Sequence, residues 1–558
     1  MKHMKFKYIA LLLPAFVLGG CDFMDCDEST DYQKQDIFES FDRSKKMVTN
    51  IYSYLPQDFC NTSDAMLDAA TDDAIHVYKS SAIQYFVNGT WSANRLVDDV
   101  WGNYYTAIRS ANLYLKEAEG QEFEDWEHSK NYEDMMKTYR NFPYEVRFLR
   151  AFFYFELIKR YHNVPLVTTV LTQEEVNEVI PESCEKVAQF IMQECAEIAP
   201  ILPVNYKSGF ADKETGRITR GAALALKARV ALYMASPLFS ADDADKWKKA
   251  AKAAYEIIGS ASELGYSLDK FANLFGAANN TSTEVILVRS TGENGDFEKA
   301  NFPMGVEGGK TSTCPTQNLV DAFEMKSSGN EFDWNNPAMK ANPYADRDPR
   351  LAMTVVYNNM EWPAAKKVEI WEGGANGLPL ANATTTGYYL RKYVNKDISF
   401  ASGSTVTKKH HNWILFRYAE VLLNYAEAMA NAYGPDVPGD KTCPMTAREA
   451  VNLVRNRSGV KMPEFPAGMS KADFIKRLKN ERRVELAFEG HRFWDIRRWK
   501  DLSKTANIYR VKIEKAGDNF NYVKLPYETR TITDNLYFYP ISNTEKYKNP
   551  NLGQNPGW

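Results

Sequence analysis

The sequence predicts a mainly α fold in which helical hairpins flank a large, loop-rich irregular region. Three observations carry that expectation. Apolar residues recur every three to four positions, the spacing of one helix face, over 144–161, 221–235 and 247–258. Between about 265 and 413 the period disappears and Gly, Asn, Pro and Thr take over. It returns over 416–432, 446–457 and 471–488.

From the first residue, Lys2, Lys5 and Lys7 precede an apolar run over 8–18, which ends in Leu18-Gly19-Gly20-Cys21. A basic start, a short apolar core and small residues have the order of a secretory signal. Small residues before a cysteine resemble a lipobox, where the thiol is acylated and the chain is cut just before it. The expected division is a leader over 1–20, a lipidated Cys21 and a tether over 21–40 that holds Asp22, Asp25, Asp27, Glu28 and Asp31. The apolar run is shorter than the roughly 20 residues a membrane helix needs. No Gly/Ser-rich or Pro-rich linker interrupts 41–558, which reads as a single domain: a helical scaffold over 41–264, a loop-rich ligand region over 265–415, and C-terminal helices and tail over 416–558.

Within the scaffold, turn punctuation is expected at Pro143, Pro165, Pro181, Pro203 and Pro237. Val146, Leu149, Phe153 and Leu157 form one apolar stripe, and Ala222, Ala225, Leu226, Arg229 and Leu232 another, whose alanines allow close helix approach. Paired with 247–258, the second makes a hairpin of tetratricopeptide size. No strict 34-residue repeat is present, so the solenoid is degenerate. Short strands are expected at 284–289 and 351–357. Ser470, with Asp473 three residues on, reads as an N-cap. The charges that follow, Glu481, Arg482, Arg483, Glu485, Glu489, Arg492, Asp495, Arg497 and Arg498, stand among Phe493, Trp494 and Trp499. Both signs at that density point to a paired internal network, with a basic ligand-binding patch as the functional alternative.

The chemistry of the chain excludes more than it assigns. A net charge of −4 offers no basic excess for phosphates, so no nucleic-acid partner is expected. The seven cysteines show no C-x-x-C spacing; free thiols are the default, with Cys184–Cys195 the one pairing an oxidising compartment would allow. Gly309-Lys310-Thr311 lacks the earlier glycine of a phosphate loop, since Met304 stands there. There is no H-E-x-x-H and no G-x-S-x-G. Adjacent acids such as Asp72 with Asp73 and Asp98 with Asp99 say nothing about the separation across a glycosidic bond that a glycosidase requires. No enzyme and no cofactor is expected; loop oxygens leave calcium open, without a D-x-D-x-D-G loop to place it. The 32 Tyr and 11 Trp are a surplus that suits sugar stacking.

Many separate segments resemble the SusD/RagB family of nutrient-binding outer-membrane lipoproteins of the Bacteroidetes. They include Asp99-Val100-Trp101-Gly102-Asn103-Tyr104-Tyr105, Glu145-Val146-Arg147-Phe148-Leu149-Arg150-Ala151, Arg347-Asp348-Pro349-Arg350 and Gly387-Tyr388-Tyr389-Leu390-Arg391-Lys392. The most specific is Glu481-Arg482-Arg483-Val484-Glu485-Leu486-Ala487-Phe488-Glu489-Gly490-His491-Arg492-Phe493-Trp494-Asp495, and the ending Asn549-Pro550 to Gly557-Trp558 also fits. The resemblance implies a helical fold on degenerate tetratricopeptide hairpins, cell-surface exposure on the outer membrane, and a SusC-like TonB-dependent transporter as partner, over which the lipoprotein sits as a lid. The acids after Cys21 are similar to the export signal of surface lipoproteins in that phylum. Ligands in the family are mostly glycans, with peptides bound by some members, so a glycan or oligosaccharide is the leading expectation, a peptide-binding lid the alternative and a surface glycosidase a distant third.

Loops on a rigid scaffold usually carry binding residues, and two stretches qualify, 71–94 and 292–371. The resemblance places the glycan on an aromatic arc from broadly these regions. Tyr78, Phe302 and Trp334 are the expected stacking residues, with Asp73 and His76 for the sugar hydroxyls.

Overall fold

The computed structural model describes residues 34–123, 126–206, 214, 216–362, 367–401 and 407–558; the leader, Cys21 and the acids after it lie outside these. The longer helices are α1 (Phe41–Tyr52), α2 (Trp101–Glu117), α3 (Tyr132–Tyr161), α4 (Cys184–Ile198), α5 (Arg220–Ala235) and α6 (Ala244–Gly259), then α7 (Tyr418–Ala432), α8 (Ala447–Arg455), α9 (Lys471–Glu485) and α10 (Arg492–Arg498). None among the described residues is long and apolar enough to cross a membrane.

Consecutive helices from α2 to α6 each pack on the next, and α6 then packs on α7 although the loop-rich region separates them in sequence. That region is therefore an excursion between two neighbours of one helical array. Hydroxyls and carboxylates close the N-termini: Ser183 caps α4, Thr219 caps α5 and Asp243 caps α6. Ser470 accepts from the Asp473 N–H as expected, but the return bond runs from the Ser470 hydroxyl to the Asp473 carboxylate. At the start of α5, the ring of Tyr266 occupies the space a side chain on Gly221 would need.

Several boundaries differ from the sequence reading, each for a physical reason. Pro143 does not punctuate: α3 runs through it, because Phe142 and Val146 on either side are fully buried and packing offsets the lost backbone hydrogen bond. The 351–357 run is not one strand. Asp348 caps a short helix, Pro349–Thr354, with proline in its first turn, and only Val355–Val356 is extended. Phe416 belongs to a strand, Lys409–Arg417, that leads directly into α7. Cys184 and Cys195 lie on the same helix, about 16 Å apart along its axis at ~1.5 Å per residue, beyond reach of a disulfide; both thiols are free and buried.

Two-stranded antiparallel sheets fasten the irregular region. The strands are β1 (Ala74–His76), β2 (Val285–Asn294), β3 (Thr313–Pro315), β4 (Val355–Val356), β5 (Tyr389–Leu390), β6 (Lys409–Arg417), β7 (Asn507–Ala516) and β8 (Asn519–Thr529). β1 pairs with β3, β2 with β6, β4 with β5 and β7 with β8. The last pair is a long hairpin whose turn places Gly517 at φ +64°.

Candidate functional site

The charge-dense block forms the structural hub. One helical turn puts Glu481 and Glu485 on the same face of α9, where Arg350 reaches both at 2.6 and 2.8 Å while also gripping Asp348. Arg417, at the end of β6, meets Glu284, Glu485 and Glu489, each at 2.7 Å. Arg455 spans Glu324 and Glu481, Arg457 adds to Glu284 and Glu485, and Lys392 donates to Glu489. These side chains are buried. Burial by itself drives the Glu485 carboxyl up, but Arg457, Arg417 and Arg350 outweigh it and hold the group far below the usual carboxylate range. Burial lowers Lys392 to about 8 despite Glu489. The expected internal network is what the structure contains.

That network reaches the first loop stretch. Asp72 accepts two bonds from Arg492, at 2.9 and 3.0 Å, and Asp73 accepts from Arg483 at 2.6 Å. Asp73, expected to bind sugar hydroxyls, is instead completely buried and ties β1 to α9. His76 is also inward, 1 % exposed, with Nδ1 2.9 Å from the Ser312 carbonyl oxygen. Burial lowers its pKa. In the second stretch Phe302 is 1 % exposed, enclosed edge-on by Trp362 and Phe400. Strand register and core packing, invisible in the residue types, account for these corrections.

Tyr78 and Trp334 keep open surface. Tyr78 is partly exposed and its hydroxyl donates to the Lys310 carbonyl at 2.7 Å. Trp334 is partly exposed, with its indole N–H donating to Asp321 at 2.9 Å; the other Asp321 oxygen accepts from Lys524 at 2.7 Å. Lys524 belongs to β8. Three residues further along β8, Tyr527 packs with Val77 on a small apolar cluster of Ile75, Cys314 and Ile508. Lys79 lies 5.1 Å from the Tyr527 ring centroid and donates to Glu528 at 2.8 Å. The β7–β8 hairpin thus joins the two stretches that carry Tyr78 and Trp334.

Near the hairpin turn, Phe520 and Trp371 meet at 5.3 Å, with the Lys515 ammonium 4.8 Å from the Trp371 ring centroid. Tyr527, Trp371 and Phe520 were not among the residues singled out in the sequence. The available signal was apolar alternation on both sides of Ala516-Gly517-Asp518-Asn519, in a segment read only as helices and tail. Partly exposed rings edged by lysines and carboxylates suit a ligand with apolar C–H faces and many hydroxyls. Among the described residues, no group of three or more His, Cys, Asp or Glu is placed to hold a metal ion.

Comparison with known proteins agrees with this architecture. A family model described as "SusD family" matches residues 283–558, and one described as "Starch-binding associating with outer membrane" matches residues 22–232. A SusD-like protein P25 from Formosa agariphila is 22 % identical over 92 % of this chain and 95 % of its own length. A SusD-like protein from Bacteroides fragilis superposes with a TM-score of 0.76 at 25 % identity, over 94 % of this chain and 99 % of the other. A SusD-like carbohydrate-binding protein from the same species gives 0.75 at 24 % identity, over 93 % and 100 %. With a helical array, a hub built from the motif-dense block and matches at both ends of the chain, the protein belongs to the SusD/RagB family.

Proposed function

We propose that this protein is a cell-surface lipoprotein, held to the outer membrane through Cys21, that captures a glycan and passes it to a SusC-like TonB-dependent transporter. The observation that carries the ligand reading is the gathering of Tyr78, Trp334, Tyr527 and Trp371 around one hairpin, with their polar edges supplied by Lys79, Glu528 and Asp321. A flat ring packs against the C–H face of a pyranose while charged and amide groups at its rim take the hydroxyls. The carbohydrate-binding relative from Bacteroides fragilis supports the same ligand class. The role is binding rather than turnover.

The test is a glycan and peptide array followed by titration of the ligand it identifies. Replacing Tyr78 and Trp334 together by alanine should weaken binding by about 1–3 kcal/mol for each ring, by analogy with base stacking, with the melting temperature unchanged. A correctly folded double variant of wild-type affinity would move the site off the hairpin face, and binding of peptides alone would replace the glycan reading. Cys21→Ala should abolish lipid labelling and release the protein from membranes, and mild detergent should recover the wild type together with a TonB-dependent barrel.

A further inference from the structure

A cleft of about 740 Å³ runs along α9, closed by residues of the 324–331 segment, by Arg492 at the start of α10 and by residues of 499–504. That volume falls within the range of roughly 300–1,000 Å³ typical of small-molecule sites. The cleft adjoins the hairpin face. Glu331 on its rim is followed by Phe332, whose ring meets Trp334 at 5.2 Å, and Asn480 on its wall donates to the carbonyl of Ala322, the neighbour of the Asp321 that holds the Trp334 indole.

The acids that line it are engaged. Glu324 holds Arg455 at 2.8 Å, Glu331 holds Lys476 at 3.2 Å, and Asp501 holds Lys479 at 2.7 Å and Lys504 at 2.6 Å. Asp473 accepts from the Ser470 hydroxyl at 2.7 Å. Two cations differ from the rest. Arg483 and Arg492 line the cleft, but the acids that fix them, Asp72 and Asp73, are buried and do not. Each arginine turns Nε and Nη2 to that pair. Asp72 Oδ2 is shared, 2.9 Å from Arg483 Nη2 and 3.0 Å from Arg492 Nη2, which sets the two guanidiniums side by side. Among the described residues neither Nη1 has a hydrogen-bond partner, and both keep accessible surface although the side chains are only 13 and 12 % exposed.

A guanidinium carries five N–H donors in a rigid plane, so an edge remains when one is taken by a carboxylate. Here the buried aspartates hold that free edge in place before any ligand arrives, which removes much of the ordering cost of binding. Arginine meets oxyanions through parallel N–H···O bonds, and two adjacent edges match the oxygens of one such group.

We infer that the α9 cleft is a subsite for an acidic saccharide, whose carboxylate, sulfate or phosphate oxygens take the free edges of Arg483 and Arg492 beside Trp334. The saccharide rests on the glycan reading of the hairpin face; the oxyanion rests on the two guanidiniums alone.

The experiment is isothermal titration of the full-length protein with glucuronic acid, glucose 6-sulfate, glucose 6-phosphate and glucose. At least one charged probe should bind ten times more tightly than glucose, and the strongest of the three names the oxyanion. Arg492→Lys keeps a cation for Asp72 but has no second edge to offer, and should weaken that binding tenfold or more. Lys504→Glu, at a side chain 69 % exposed on the rim, should weaken it severalfold with folding intact. Tyr78→Ala with Trp334→Ala should leave it unchanged, so a hairpin face that fails to bind glycan would not remove the signal from the cleft. The inference is overturned if no charged probe binds, if glucose binds as tightly, if folded Arg492→Lys and Lys504→Glu both bind as wild type does, or if only the hairpin-face variant loses the charged probe.

Discussion

The hub and the hairpin face use the same residue types in opposite ways. In the hub, Arg350, Arg417, Arg455 and Arg457 are buried, and each meets at least one carboxylate. On the hairpin face, Lys79 and Lys515 lie beside partly exposed rings, and Asp321 supports Trp334 from one edge. A charge taken out of water must be compensated within the fold, whereas one at the surface remains available to a ligand. The difference teaches that motif density marks the scaffold here, while the aromatic rings free to meet a ligand sit where motifs are sparse.

Removing one hub carboxylate is the harshest way to test this contrast. Glu485→Ala leaves Arg350, Arg417 and Arg457 short of a partner and should cost about 3–5 kcal/mol in chemical denaturation. A loss below about 1 kcal/mol would show that the hub is not what holds the fold. Acid tests the same charges without mutation. Burial pushes the Glu481 and Glu489 carboxyls up, but the arginines around them, joined at Glu489 by Lys392, prevail, so both titrate below their unfolded value of about 4.3. Their stabilisation is complete above that value and disappears as pH falls toward the folded values. The melting temperature should therefore drop steeply below about pH 4, and the drop should be shallower in Glu489→Gln.

A mid-sized effect is expected where the hairpin is seated on the body. Gly387 has φ +89°, and a Cβ there would lie 2.5 Å from Val511 Cγ1 and 2.7 Å from the Val511 carbonyl oxygen on β7. Gly387→Ala should cost about 1–3 kcal/mol and weaken glycan binding by displacing the hairpin, with the acid profile of the hub unchanged. Equal loss of both would mean that face and hub are one cooperative unit. The smallest effect belongs to Lys79→Ala. Its exposed pair with Glu528 should contribute no more than about 1 kcal/mol to stability. Any affinity loss larger than that of Tyr78→Ala would make the cation, rather than the ring, the main ligand contact.

Helices were legible in the sequence wherever apolar spacing was long and continuous, as in 221–235 and 471–488. The Glu481–Arg498 block was legible as a network because such dense opposite charges among aromatics need burial and pairing together. Boundaries were harder. Asp348-Pro349 is a cap followed by a first-turn proline, and it overrode the β-like run behind it. The candidate face was only half visible. Tyr78 and Phe302 are both aromatics in loops, and nothing in residue type distinguishes the one with open surface from the one enclosed by Trp362 and Phe400. That distinction is made by β1–β3 register and by contacts distant in sequence, and the β7–β8 hairpin, although its alternation was present, becomes relevant only once it is seen to bridge the two loop stretches.

The span of the hub has a consequence for how the chain reaches its final form. Asp72 and Arg492 are 420 residues apart, Arg350 and Glu485 135, and Glu284 and Arg457 173. Loop closure over such distances carries a large entropic cost before any contact forms, and folding slows as contacts become less local. The early helices can pair as they emerge, but Arg350, Arg417 and Arg455, each with one earlier acid at Asp348, Glu284 and Glu324, gain Glu481, Glu485 and Glu489 only after the last fifth of the polypeptide arrives. Until then the molecule holds a latch without its catch, and the chain stays open to rearrangement until its C-terminal helices are in place.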